Sequence, residues 1–355
     1  MRKIGILTSG GDCAGLNPAI YALAKSLYSR LDNVEIIGIY DGFTGLIDLN
    51  TKVLGPDDFD GLLDQGGTFL RSIRQGFKTM EIPDEKGVTK ADKIVKNYKK
   101  LGLDALAVLG GNGSHKVAKL LSQRGLNVVA LPKTIDNDIF GTDETFGYDT
   151  AIQTGVNYIA HLKTTAASHS RVFVVEIMGN KVGWLALSTG VAAGADVVIL
   201  PEIPYDIDKV NKAVTKALRH RNYAFVVVSE GAYSKNEPQK NKERAFTRES
   251  TGFHGIGEQL AKEIEAGTGR ETRSAVPGHE LRGGTPSAFD RLYTMQLGNY
   301  AAKLIQEEKY GLTVARVKGK ITANKLEDVA GISKPVPLDD RLIKAARNTG
   351  ISFGD

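Results

Sequence analysis

The chain has 355 residues, 41% hydrophobic and 25% charged, which suits two globular domains and excludes a disordered or fibrous protein. Its net charge of +5 comes from basic residues spread along the chain, a pattern that fits small anionic ligands better than nucleic acid. One cysteine, Cys13, excludes an internal disulfide, and no apolar run reaches the ~18 residues of a membrane span, so a cytoplasmic protein without a membrane partner is expected.

Short apolar runs ending in turns recur along the chain: KIGILTSGG, VEIIGIYDG, LAVLGGNG, VVALPKTIDND, VFVVEIMGN, VVILPEIP and FVVVSEGA. They lack polar alternation, as strands do in a parallel sheet covered on both faces. Helix-length stretches lie between them, such as NPAIYALAKSLYSRL and KVAKLLSQRG, apolar at intervals of three and four. Alternating β and α units predict a doubly wound α/β architecture, with ligands gathered at the carboxyl ends of the strands. Residues 234–250, SKNEPQKNKERAFTRES, are polar and almost free of aliphatics, and read as a solvated surface loop. Two βα halves are expected to meet near residues 138–150.

The first turn, SGGDCAGLN, and the second, LGGNGSHKV, each place glycines between a strand and a helix start. Such turns present backbone N–H groups and the positive end of a helix to an anion. Two of them suit a ligand with more than one phosphate. Neither has GxGxxG spacing, which disfavours a nicotinamide-dependent oxidoreductase. The centre of the second turn is the neutral Asn112, where a metal–phosphate site would more usefully carry a carboxylate. After NVVAL comes PKTIDND, whose Asp136 and Asp138 suit a base and a metal or helix-cap anchor, or simply an Asx-rich turn. Arg171, Arg273, His279 and Arg282 read either as solvated surface or, beside glycines, as a phosphate pocket.

Taken together, TSGGDCAGLN, GIYDGFTGL, GGTFLRSIR, LGGNGS, PKTIDND, SHSRVFVVEIMGN, SEG and TGRETRSAVPGHELRGGTPSAFDR resemble the motifs of the 6-phosphofructokinase family, in order, over roughly residues 1 to 300. The resemblance implies two doubly wound Rossmann-like domains with the active site in the cleft between them. Residues 1–140 plus about 260–310 would bind the phosphoryl donor, and 141–259 plus the C-terminal segment the sugar phosphate. It implies Mg2+-dependent phosphoryl transfer from ATP or pyrophosphate to O1 of fructose 6-phosphate, in a homodimer or homotetramer with shared active sites. Carried over by position, Gly11, Arg74, Gly111, Asn112, Gly113, Ser114 and Lys133 would hold the donor. Asp136 would be the general base, with Thr134 and Asp138 beside it. Met178, Gly179, Asn180 and Glu230 would line the sugar. Arg171 and Arg273 would reach a neighbouring subunit's 6-phosphate, joined there by that subunit's own His279 and Arg282.

Gly113 is small, as in the family's ATP users, where pyrophosphate users carry aspartate. Lys133 and the phrase ILPEIPYD lean towards a branch that mixes both donors, so ATP is expected and pyrophosphate is the alternative. Tyr21 replaces an arginine of the bacterial effector site, although Lys25 keeps a basic charge. Two departures bear on chemistry. Asn112 stands where the family has a magnesium-binding aspartate, and Asn180 where it has an arginine near the transferring phosphate. Lys181 or Arg71 are candidates to compensate. A kinase for another sugar phosphate and a weakly active or inactive regulatory paralogue are the remaining alternatives.

Overall fold

The computed structural model of the chain describes residues 1–250 and 252–355. In chain order the elements begin β1 (Arg2–Ser9), α1 (Leu16–Arg30), β2 (Val34–Ile39), α2 (Phe43–Asp48), β3 (Thr51–Leu54), α3 (Lys90–Leu101), β4 (Ala105–Gly110), α4 (Asn112–Gln123) and β5 (Val128–Pro132). There follow α5 (Tyr148–His169), β6 (Val172–Ile177), α6 (Trp184–Ala192), β7 (Val197–Ile199), α7 (Ile207–Leu218), β8 (Ala224–Ser229), α8 (Asn241–Ser250) and α9 (Ile256–Thr268). The chain closes with β9 (Thr272–Ala275), α10 (Ala288–Gln306), β10 (Leu312–Val317), β11 (Lys320–Lys325), α11 (Leu326–Val329) and α12 (Arg341–Asn348).

Two compact units result. The first comprises residues 1–150 and 282–334, the second residues 151–281 and 335–355. The first carries a seven-stranded sheet in the order β11-β10-β5-β4-β1-β2-β3. Its five inner strands are parallel and its two edge strands, β3 and β11, run antiparallel to their neighbours. Leu7, Ile39, Phe43, Ile94, Leu106 and Val108 lie in the core on one face of this sheet. The helices begin and end where their sequences direct. Thr89 caps α3 in a reciprocal box with Asp92, and Gly102 ends it in the left-handed conformation. α1 packs along α10 so closely that a Cβ on Gly298 would sit 2.6 Å from that of Ala22.

The second unit holds a four-stranded, wholly parallel sheet in the order β7-β8-β6-β9. Val174, Ile199, Val226 and Val228 of its strands pack with Val210 and Val214 of α7 and with Leu260 and Ile264 of α9. Residues 260–281, expected with the first unit, fall in the second, because β9 pairs with β6 and α9 packs into this core; residues 141–150 and 311–334, expected with the second, fall in the first, where β10 and β11 extend the sheet beyond β5. All seven apolar runs of the sequence are strands, one each in β1, β2, β4, β5, β6, β7 and β8.

The expectation of a solvated loop at residues 234–250 is overturned. Ten of these residues form α8, and the side chains of Arg244 and Arg248 are buried. Arg244 donates to the carbonyls of Pro238, Gln239 and Gly231, and Arg248 to that of Ala232 and to Gln259 and Glu237. A guanidinium supplies five donors, so it can be buried once backbone acceptors surround it. Composition alone does not register that.

Candidate active site

Three neighbouring strands of the first unit, β1, β4 and β5, run in register, Ser9 beside Gly110 and Gly110 beside Pro132. Their outgoing loops, residues 10–11, 111–114 and 133–138, therefore leave from the same, carboxyl end of the sheet. Gly111 is the N-cap of α4, so the first-turn N–H groups of that helix lie within the loop. Gly113 is exposed, and a Cβ built on it would meet nothing within 4 Å. Ser114 Oγ donates to the carbonyl of Ser9 at 3.3 Å and ties the loop to β1. His115, fully buried, lies between Gly111 O (3.0 Å) and Thr313 Oγ1 (2.8 Å), and burial pushes its pKa down to about 4.

Gly10 has φ +91°, a left-handed conformation that favours glycine, and its carbonyl accepts from Ser72 Oγ at 2.7 Å. A Cβ on Gly11 would approach the Arg282 guanidinium to 3.0 Å, so Arg282 lies against this turn. The buried ammonium of Lys133 donates to the carbonyl of Gly11. Desolvation lowers its pKa, while Cys13, Asp136 and Asp138 oppose the shift. Lys133 thus joins the first and third loops and brings positive charge to the same end of the strands.

In the third loop Asp136 N–H donates to Thr134 Oγ1 at 3.1 Å. Asn137 follows with φ +52°, in the left-handed region that asparagine tolerates best among side chains with a Cβ. Burial raises the pKa of Asp138, while backbone hydrogen bonding, Lys133 and Lys334 pull the other way. Asn112 presents its amide elsewhere. Its Oδ1 accepts from the Gly331 N–H at 2.8 Å and its Nδ2 donates to the Ile332 carbonyl at 3.1 Å. Among the described residues no group of three or more His, Cys, Asp or Glu is placed to hold a metal ion. Asn112 brings no charge, and its amide oxygen already accepts one N–H, so the position lacks the carboxylate that a resident magnesium site would use. Arg71 pairs with Asp41 at 3.0 Å and lies 5.2 Å over the Tyr40 ring, while Arg74 is exposed. Lys25 is engaged by Asp60 at 2.7 Å and by the Pro56 carbonyl.

In the second unit, β6 and β8 also end in register, Ile177 beside Ser229. Met178, Gly179 and Asn180 leave the first strand, and Glu230 the second. Glu230 Oε1 accepts the N–H groups of Gly179 (3.2 Å) and Asn180 (2.6 Å), which locks the two turns together. Asn180 adopts φ +51° and is exposed. Arg171 precedes β6 and Arg273 pairs with Phe173 near its start, at the opposite end of the strands from Glu230. Both guanidiniums meet Glu271, at 2.9 and 2.5 Å, and this holds its carboxyl below the usual range. His279 is exposed in a short 3-10 turn, residues 278–282, that also carries Arg282.

Beside Glu230 and Asn180 opens a cavity of about 520 Å³, whose walls include Glu176, Arg244, Arg248 and His254. Sequence reasoning missed these four. Only the clustering of arginines at positions four apart in α8 offered a signal. Glu176 accepts the Gly257 N–H at 2.7 Å, and burial raises its pKa.

Parallel-sheet α/β units whose glycine turns and cations gather at strand ends define an anion-handling protein of the doubly wound class. A phosphofructokinase family model matches residues 3–305, and the chain belongs to that family. It is 48% identical to an ATP-dependent 6-phosphofructokinase of Spirochaeta thermophila, over 100% of this chain and 98% of that one. It is 40% identical to ATP-dependent 6-phosphofructokinase 3 of Bacteroides thetaiotaomicron, over 99% of this chain and 100% of the other. Among solved structures it is similar to the phosphofructokinase of Pichia pastoris in the T-state, with a TM-score of 0.77 and 31% identity. That match covers 93% of this chain but 35% of the longer yeast chain. Among the described residues no helix is long and apolar enough to cross a membrane.

Proposed function

We propose that the protein transfers the terminal phosphoryl group of ATP to O1 of fructose 6-phosphate, a glycolytic step carried out in the cytoplasm. The observation that carries this reading is the shared carboxyl end of adjacent strands: a helix N-terminus for phosphates and, one strand away, a turn bearing Asp136. The names of the full-length relatives support it.

In this mechanism the carboxylate of Asp136 takes the proton of the O1 hydroxyl. The freed oxygen attacks the terminal phosphorus, the bond to the bridging oxygen breaks, and ADP leaves. Gly11, Gly111, Gly113, Ser114 and Arg74 hold the donor, with Lys133 supplying charge from below the loop. Thr134 and Asp138 set the turn that presents Asp136. Magnesium would enter with ATP as part of the substrate and would neutralise charge on its phosphates. Met178, Gly179, Asn180 and Glu230 receive the sugar, and His279 and Arg282 its 6-phosphate. Arg171 and Arg273 complete the phosphate pocket of a second copy of the chain, so the active enzyme is a homodimer or homotetramer. The open space beyond Gly113 favours ATP, because a bulkier nucleotide phosphate fits where pyrophosphate users carry a carboxylate.

The test is turnover of purified protein with ATP or pyrophosphate against fructose 6-phosphate. Turnover with ATP is expected, and Asp136→Asn should lower kcat by about 10²–10⁴ with the KM for ATP little changed. Turnover with pyrophosphate alone, or an Asp136→Asn protein of undiminished kcat, would overturn the reading.

A further inference from the structure

Residues 331–334 touch both loops that the proposed mechanism needs. Gly331, at φ +90°, donates its N–H to Asn112 Oδ1 at 2.8 Å, and the carbonyl of Ile332 accepts from Asn112 Nδ2 at 3.1 Å. Ser333 then pairs antiparallel with Ile139, and the Lys334 N–H donates to the Asp138 carbonyl at 2.9 Å. The Lys334 ammonium enters the next turn, where it donates to Asn137 Oδ1 (2.8 Å), Thr142 O (2.9 Å) and Asp143 O (3.0 Å). Four consecutive residues thus grip the donor loop at one end and the Asp136 turn at the other.

The grip depends on residue type at both ends. Only an amide side chain of this length offers the matched acceptor and donor that a peptide N–H and C=O require. An aspartate at 112 would keep the bond from Gly331 but would set a carboxylate oxygen against the Ile332 carbonyl, with neither able to donate. A lysine ammonium has three donors, and three acceptors meet it. The left-handed Asn137 between Asp136 and Asp138 is a conformation that surrounding bonds must hold in place.

We propose that residues 331–334 form a clasp that fixes the donor loop relative to the base-bearing turn, with Asn112 and Lys334 as its two positioning residues. Asn112 is on this account a structural partner of the clasp and not a weakened metal ligand. The proposal rests on the kinase reading for its catalytic consequence, but the clasp itself is testable without turnover.

The experiment combines backbone hydrogen exchange with kinetics on the full-length protein and its Lys334→Met, Lys334→Arg and Asn112→Asp variants. Lys334→Met should speed exchange in residues 134–139 and also in 111–116, with Lys334→Arg restoring much of the protection. Should Lys334→Met fail to fold, Asn112→Asp gives the same readout from the other end, by speeding exchange in 134–138. Either variant loosening only its own loop would overturn the clasp. In kinetics, Asn112→Asp should lower kcat about tenfold with the KM for ATP within about twofold, and added magnesium should not recover it. A rise in activity at low magnesium would overturn the assignment of Asn112. If the unaltered protein turns over no substrate, the kinase reading fails, and the exchange data still decide the clasp.

Discussion

His115 is buried between the Gly111 carbonyl and the Thr313 hydroxyl, and its folded pKa is depressed to about 4. The unfolded chain binds a proton there near 6.5, so between those values the unfolded state holds more protons. The stability tied to neutral His115 is therefore fully present above about pH 6.5 and is lost as pH falls towards 4. The loss should be on the order of 3 kcal/mol. Urea unfolding at pH 7 and at pH 4.5 checks this. His115→Gln should show a smaller drop between the two than the unaltered protein, and an equal drop would refute the assignment. Other single residues differ in how far the sequence exposes them. Asp136 stands out because it follows a strand run and a glycine-free turn. Asn112 looks only like a missing charge, because its partners lie 219 and 220 positions away. Lys334 carries no signal at all: one lysine before a proline, made significant by three acceptors brought to it in space.

Among the elements, α8 shows where pattern reading fails and gives its own prediction. Arg248 and Glu237 are 9% and 13% exposed and lie 3.1 Å apart, and Arg248 also reaches the Ala232 carbonyl and Gln259. Removing one partner of such a pair leaves a buried charge, at a cost of about 3–5 kcal/mol. Arg248→Ala should accordingly release α8, seen as faster proteolysis within residues 241–250 at unchanged resistance elsewhere. An unaltered cleavage pattern would show that the helix is held by other contacts. The buried parallel strands are readable because burial on both faces leaves an uninterrupted apolar run. β3, β9 and β11 are not, since strands of four to six residues with exposed or half-buried positions lack that run. Their place is set by pairing with β2, β6 and β10, which is a property of the sheet and not of the segment.

For the whole molecule, the proposed sharing of sites between copies predicts complementation. Asp136→Asn and Arg273→Ala should each be nearly inactive alone. In a mixed dimer one site carries both defects and the other carries neither. In the purified hybrid every dimer is mixed, so about half of its sites should be restored. Co-expression of the two differently tagged variants, followed by assay of the doubly purified hybrid, reads this directly. A hybrid as inactive as its parents would refute the sharing.

The chain passes from the first unit to the second after residue 150, returns at 282 and leaves again after 334. During synthesis the N-terminal 150 residues therefore emerge without β10, β11 and the helix that packs along α1. The edge of β5 stays unpaired until well over a hundred further residues have been made, so the first half of the protein cannot finish folding before the second half is on its way. A ribosome paused near residue 280 would present an open sheet edge, the kind of surface that chaperones recognise and that other nascent chains can join.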